Sequence, residues 1–469
     1  MIDNKISRRG FIKASASVAA GTSIMLTGTA PSYAAPQVTK SKAVQIKPSK
    51  KALVFIMLDG GNDSYNMLVP TSSKHYKEYQ SSRSNLALSQ QQLLSLDGYR
   101  DSRGRTFGVH ESMRDVQQLF KQKKLAFVAN TGPIIEPVTK DNFYGGGAKL
   151  PLGLLSHSDQ FKHWQTARPE LRINRGWFGY FADALQPDRT IDQIPMNISL
   201  SGSNIMQNGI SSSHYSITQD GSVGLIVNED KTPLNNVLLD SFEKSLNFHY
   251  RGDPLKQSYL SITREAQAQH EKFSKATDQI NVPTSFSDTA LSQQLKKVVQ
   301  SIKAADSLGQ QQQTYFLRYI GWDHHDELLN NHANMLSVLS KALGEFQRAL
   351  DELDIADKVV TFTGSDFGRT LTSNGNGTDH GWGGNTLVMG EPVNGGQIFG
   401  EYPSLALGTD NPLDVGGGVL IPTTPIDLLY EQLALWFGAE QSSIEALFPN
   451  LSNFKDVTNK SRLQELIHS

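Results

Sequence analysis

Four short stretches gather the residue types that hold metals or move protons. MLDGGND carries Asp59 and Asp63, YIGWDHHDE carries Asp323, His324 and His325, TGSDFGRT carries Asp366 and Arg369, and GTDHGWGG carries Asp379 and His380. The leading candidates are Asp59, Asp323, His325, Asp366 and His380, with His324, Asp63 and Asp379 in reserve. Carboxylates packed beside one another repel unless protonated or neutralised by cations, and a divalent metal resolves that conflict. Mixed Asp/His ligation suits zinc, manganese or iron, whereas a site of oxygen ligands alone favours magnesium or calcium. Arg369 either makes a bidentate contact with a substrate oxyanion or holds Asp366. The glycines around His380 let the backbone pass close to a crowded centre and adopt positive φ, although a plain glycine-rich turn has the same composition.

These residues need a common rim, and the surrounding pattern supplies one. The run Ala52–Leu58 is continuously apolar, as in a strand buried on both faces of a parallel sheet, and KLAFVANTGP, KVVTFTGSDFGR and NTLVMGEP repeat that form. In an open parallel sheet, ligands bind beyond the carboxyl ends of the strands. A stripe through Leu328, His332, Leu336, Leu339, Leu343, Phe346 and Leu350 predicts a long helix, and Leu295, Val298, Val299 and Ile302 predict another. TTPIDLLYEQLALWFG reads as a structural helix closed at Gly438. Residues 201–313, otherwise rich in Ser, Gln and Asn, read as an insertion that decorates or lids the core. The expected fold is therefore α/β, a doubly wound and mostly parallel sheet with helices on both faces, in a single domain over residues 51–469.

The chain has no cysteine, which excludes disulfides, thiolate catalysis and iron–sulfur clusters. Its 44 basic and 46 acidic residues nearly cancel, so no nucleic-acid footprint is expected. SRRGFIK, followed by a short apolar run ending at Ser32-Tyr33-Ala34, reads as a twin-arginine signal peptide over residues 1–34, with residues 35–50 as a linker. The run is too short and too rich in Gly, Ser and Thr for a membrane anchor. The expected partner is the twin-arginine export machinery, and the expected location is periplasmic or secreted.

MLDGGNDSYNMLVP, LLSHSDQFKHWQTA, GWDHHD, TGSDFGRT, GTDHGWGG and VMG resemble, in order and along nearly the whole mature chain, the exported domain-of-unknown-function family numbered 1501. That family is similar to the alkaline phosphatase and sulfatase superfamily. The resemblance implies an alkaline-phosphatase-like fold, a centre of one or two divalent ions, zinc or manganese foremost, and a hydroxyl nucleophile that attacks a phosphate or related ester of a small molecule or the cell envelope. It places Asp59, Asp323, His325, Asp366 and His380 as metal ligands. The chain departs from the superfamily pattern in the immediate Asp323-His324-His325 spacing and in Phe367, where a histidine commonly follows the later aspartate. The implied nucleophile is Ser156, before a plausible helix, with Thr131 and Ser64 as alternatives and Ser158 a rival for the helix cap. A formylglycine sulfatase is excluded, because the chain lacks both cysteine and any serine two residues before a proline. The rival functions are a noncatalytic binding protein on the same scaffold and a peptidase using Ser156 with His157.

Overall fold

The computed structural model describes residues 44–190, 193–223, 232–248, 252–455 and 463–468. The proposed signal peptide lies outside them. Part of the expected linker does not behave as one: from Gln45 the chain is tied to the C-terminal region, with the Glu440 amide donating to Gln45 O and the Lys47 amide to Gly438 O, both at 2.9 Å.

The strands are β1 (Lys51–Asp59), β2 (Leu68–Pro70), β3 (Leu93–Ser95), β4 (Phe107–His110), β5 (Leu125–Gly132), β6 (Asn197–Ser199), β7 (Tyr215–Ser216), β8 (Gln312–Ile320), β9 (Val359–Ser365), β10 (Gly384–Met389), β11 (Ile398–Gly400) and β12 (Thr424–Pro425). The helices of eight or more residues are α1 (Ser73–Arg83), α2 (Arg114–Lys121), α3 (His157–Thr166), α4 (Trp177–Leu185), α5 (Pro233–Leu246), α6 (Pro254–Thr277), α7 (Ala290–Lys303), α8 (Leu328–Glu352) and α9 (Ile426–Phe437).

The main sheet has the order β11-β5-β10-β9-β1-β8-β6-β7, with β12 also on β5. A small antiparallel sheet, β2-β4-β3, stands apart. β1 is central and parallel to both β8 and β9, and Ala52–Leu58 is buried throughout because both faces of the strand are covered. On one face α7 and α8 bury Leu295, Val298, Leu336, Leu339 and Phe346. On the other, α3, α4 and α9 bury Trp164, Trp177, Phe181, Tyr430 and Phe437. Helices on both faces confirm the doubly wound α/β expectation.

One strand departs from the expected pattern. β10 runs antiparallel to both β5 and β9. An apolar run reads the same in either direction, so its polarity was invisible in the sequence. The reversal matters, because it brings the entry of β10, and with it the GTDHGWGG loop, to the rim where β1, β8 and β9 exit. Among the described residues, no helix is long and apolar enough to cross a membrane.

Burial disfavours the charged form of several histidines of the fold. It lowers the pKa of His110, His163 and His332, and brings His214 from its usual 6.5 down to about 4. Below pH 6.5 the unfolded chain takes up protons that these rings refuse. Stability intact above pH 6.5 is therefore lost as pH falls towards the folded values. Each ring withdraws up to ~1.4 kcal/mol per pH unit across that interval. Urea unfolding at pH 5 is expected to show a lower midpoint than at pH 7 with the same slope, offset in part by the buried Asp427 carboxyl, which is pushed up to about 8; a midpoint no lower at pH 5 would mean that these rings do not set the balance.

Candidate metal centre at the strand exits

The centre is built from one helix start and three loops at the rim. Helix α3 opens at His157, and its buried face continues through Phe161 and Trp164 against the sheet, which points the first-turn imidazole at the exit of β9. Asp323 and His325 lie on the loop leaving β8, a loop fastened to β1 by the Gly321 and Trp322 amides donating to Asp59 O at 3.1 Å. Asp366 is the first residue beyond β9, and His380 precedes β10.

Three imidazoles are oriented in the same way. His157 Nδ1 lies 2.7 Å from Asp366 Oδ2, His380 Nδ1 lies 2.8 Å from the Leu155 carbonyl oxygen, and His325 Nδ1 lies 3.3 Å from Asp379 Oδ1. An oxygen acceptor at each Nδ1 favours the neutral tautomer that keeps its proton there and leaves Nε2 with its lone pair. The three Nε2 atoms surround Asp323: His157 Nε2 is 3.4 Å from Oδ2, and His325 Nε2 and His380 Nε2 are 3.0 and 3.6 Å from Oδ1. His325 Nε2 and His380 Nε2 are 3.0 Å apart. Two imidazole lone pairs facing each other at that distance repel unless a proton or a cation lies between them. His157, Asp323 and His380 each offer a ligand atom within 4.8 Å of the others, the spacing of atoms that share one ion.

The electrostatics follow from these contacts. The hydrogen bond to Asp366 raises the pKa of His157, whereas burial lowers that of His380. Burial pushes the Asp323 carboxyl up, but the Arg369 hydrogen bond and charge, together with His325 and His157, bring it below its usual value. Asp366 is raised, by burial first and with Asp59 adding to it, and its Oδ1 is buried without a hydrogen-bond partner. Leu155 adopts φ +67°, a left-handed conformation that is uncommon for leucine, at the residue whose carbonyl holds His380.

Set against the sequence reading, Asp323, His325 and His380 come together. Asp366 stands one bond further out and orients His157. Asp59 is paired instead with Arg318, whose Nε lies 2.8 Å from Asp59 Oδ2 and whose guanidinium stacks 4.9 Å from the Phe161 ring centroid. Asp63 forms a buried pair with Arg83. His324 is buried away from the centre beside Trp322 and His332. Arg369 does not hold Asp366; fully buried, it donates to Gly61 O, Gly60 O and Thr378 O and to Asp323, joining three loops. Ser156 caps α3 from a half-buried position, with its Oγ 3.2 Å from Ser158 Oγ. Thr131 and Ser64 line a separate narrow cleft of about 20 Å³ together with Trp164 and Phe367. Phe367 fills the position where a histidine was expected, and its ring packs against His157 and His380.

Sequence reasoning missed His157 as a centre residue, treating it only as a neighbour of Ser156. The available signal was its position at the head of the stripe His157, Phe161, Trp164, where a polar residue on a buried face must meet the rim.

The glycines of GTDHGWGG have a different reason from half of the one expected. None of Gly377, Gly381, Gly383 and Gly384 takes a positive φ. Gly377 and Gly381 are glycines because backbones cross, and Gly383 and Gly384 because the Asn130 and Ser64 side chains press close: a Cβ on Gly381 would lie 2.6 Å from the Arg369 carbonyl carbon, and one on Gly368 would overlap the Gly383 oxygen. The Gly368 amide donates to Trp382 O at 3.0 Å and the Gly381 amide to Gly368 O at 2.7 Å, closing the two loops on each other.

Fold and site together define an α/β protein whose mostly parallel sheet carries a His/Asp cluster at its strand exits. The chain matches the family described as Protein of unknown function (DUF1501) over residues 50–417, and it belongs to that family. No curated protein matches it. Among solved structures, Ps i-CgsB is similar over 87% of this chain and 77% of its own, at 12% identity and a TM-score of 0.32. The lipoteichoic acid synthase LtaP of Listeria monocytogenes is similar over 91% and 97%, at 9% identity and a TM-score of 0.31. A multiple mutant of the alkaline phosphatase PafA is similar over 69% and 64%, at 10% identity and a TM-score of 0.22. These likenesses are distant, and the chemistry below rests on the chain's own residues.

Proposed function

We propose that this protein is an exported, metal-dependent hydrolase of phosphate or related esters. The observation that carries the metal is the convergence of three Nδ1-anchored imidazoles on Asp323, with two Nε2 atoms 3.0 Å apart. His157, Asp323 and His380 would hold a divalent ion, zinc or manganese by ligand chemistry, with His325 Nε2, 3.0 Å from both His380 Nε2 and Asp323 Oδ1, beside them as a further donor, and Asp366, Asp379 and the Leu155 carbonyl would fix the ring orientations. Such an ion supplies Lewis acidity towards a phosphoryl oxygen. Ser156 is the hydroxyl proposed to attack. It is flanked by Leu155 and His157, both of which contact the centre, and its hydroxyl makes no helix-capping hydrogen bond. Export rests on the twin-arginine leader and belongs to the same proposal.

The test is turnover of aryl phosphate mono- and diesters by protein loaded with zinc or manganese. Hydrolysis inhibited by vanadate is expected, and Ser156→Ala is expected to lower kcat by roughly 1000-fold or more while metal content stays unchanged. One observation favours a second reading, a metal-bearing binding protein without catalysis. Arg369, the cation expected to meet an oxyanion, is instead buried and committed to carbonyl oxygens and Asp323. A metal-replete protein that turns over no ester in a broad panel would establish that reading.

A further inference from the structure

The least satisfied surface of the described structure lies far along the chain from the centre, on the hairpin formed by α5 and α6. Leu234, Val237 and Leu238 share one face of α5, and Leu255, Tyr259 and Ile262 share one face of α6, by helical spacing. All six are exposed, Leu234 by 68% and Leu255 by 66%. α5 buries only Leu246. α6 buries Gln269, Phe273 and Thr277, all in its second half, where Phe273 packs on Tyr215 of the edge strand β7. α6 is thus anchored through its second half, and the first turns of both helices carry apolar stripes that no described residue covers. Helices of this kind are stable in proteins chiefly through burial of such a stripe.

We propose that this hairpin is a self-association surface, on which α5 and α6 of two copies pack about a two-fold axis into a four-helix bundle. The two stripes together expose on the order of 600 Å² of apolar side chain, near the ~800 Å² per partner of a stable interface. The charge pattern selects a second copy over a lipid surface. Residues 232–277 hold five acidic and six basic side chains, so two hairpins do not repel each other. They also lack the surplus of Lys and Arg with which an amphipathic helix binds anionic lipid.

The experiment is the mass of the mature protein by light scattering across micromolar to tens-of-micromolar concentrations. The parent is expected to run at twice the chain mass, and the double variant Leu255→Glu, Tyr259→Glu at the chain mass, with an unchanged melting transition for the body of the protein. Because those changes can unfold the hairpin itself, Ser258→Cys supplies an independent readout. The chain has no other cysteine, so oxidation of this variant is expected to give a covalent dimer through that residue alone. A monomeric parent, a dimer indifferent to the double variant, or the absence of a covalent dimer would overturn the proposal. So would flotation of the parent with phosphatidylglycerol vesicles that the double variant abolishes, which would assign the face to lipid.

Discussion

The His380→Ala protein is expected to bind zinc or manganese about 100-fold or more weakly than the parent while its metal-free fold survives. The two effects separate because of where the ring sits. Its Nε2 is one of the nitrogens converging on Asp323, whereas the imidazole is only partly buried and belongs to none of the apolar clusters. Removing a ligand removes a bond to the ion directly, while a change at a partly exposed position outside the core costs the fold little. Asp366→Asn supplies the graded comparison. It leaves every proposed ligand atom in place but weakens the anchor at His157 Nδ1, and losses of ~10- to 100-fold are typical when such an outer partner is changed. Calorimetric titration of metal into each chelator-stripped protein measures both. Equal affinity in His380→Ala and the parent would remove His380 from the centre.

Gly368→Val is expected to be the most damaging change to the site that touches no charged or ligand side chain. A side chain there would enter the Gly383 oxygen, where the TGSDFGRT and GTDHGWGG loops pass backbone against backbone. The obstruction is main chain, which cannot swing aside as a flexible side chain does, so the loops must part. Parting them breaks the Gly368–Trp382 and Gly381–Gly368 hydrogen bonds and shifts Arg369, and Asp323 with it. A loss of ~3 kcal/mol or more in urea unfolding of the metal-free protein is expected, the range of severe overpacking. Gly147→Ala is the control. The nearest atom to a Cβ there is Asn142 Cβ at 4.0 Å, and the change is expected to fall within ~0.5 kcal/mol of the parent. A Gly368→Val protein as stable as that control would show that the loops are not locked together.

Much of the scaffold was legible because burial on both faces leaves a mark in residue type. The run Ala52–Leu58 and the stripe Leu328–Leu350 are a strand and a helix as their periods require. The rim was legible for a similar reason, since Asp323 and Asp366 follow apolar runs directly. What stayed hidden depends on partners remote in sequence. Asp59 and Arg318 are 259 residues apart, and nothing in MLDGGND announces that a guanidinium takes up that carboxylate. Asp366 looked like a ligand because an aspartate at a strand exit has the same sequence signature whether it meets an ion or a histidine. The glycines were recognised as necessary, but sequence does not distinguish a left-handed φ from a backbone crossing.

The wide spacing of the centre's residues also orders events in time. The chain from His157 to Asp323 runs through α3, α4, β6, β7, α5, α6, α7 and β8, and that from His325 to His380 through α8 and β9. Loops of such length close slowly and bring their ends together only after the intervening strands have paired. The nitrogen and oxygen atoms around Asp323 therefore converge late in folding, when β1, β8, β9 and the reversed β10 are all in register. A partly folded chain has Asp323 and His325 as neighbours but lacks the opposing rings, and so has little hold on an ion. On the proposed reading, metal capture should accordingly follow assembly of the sheet instead of nucleating it, which would make the rate of metal uptake during refolding a clock for the last step of the fold.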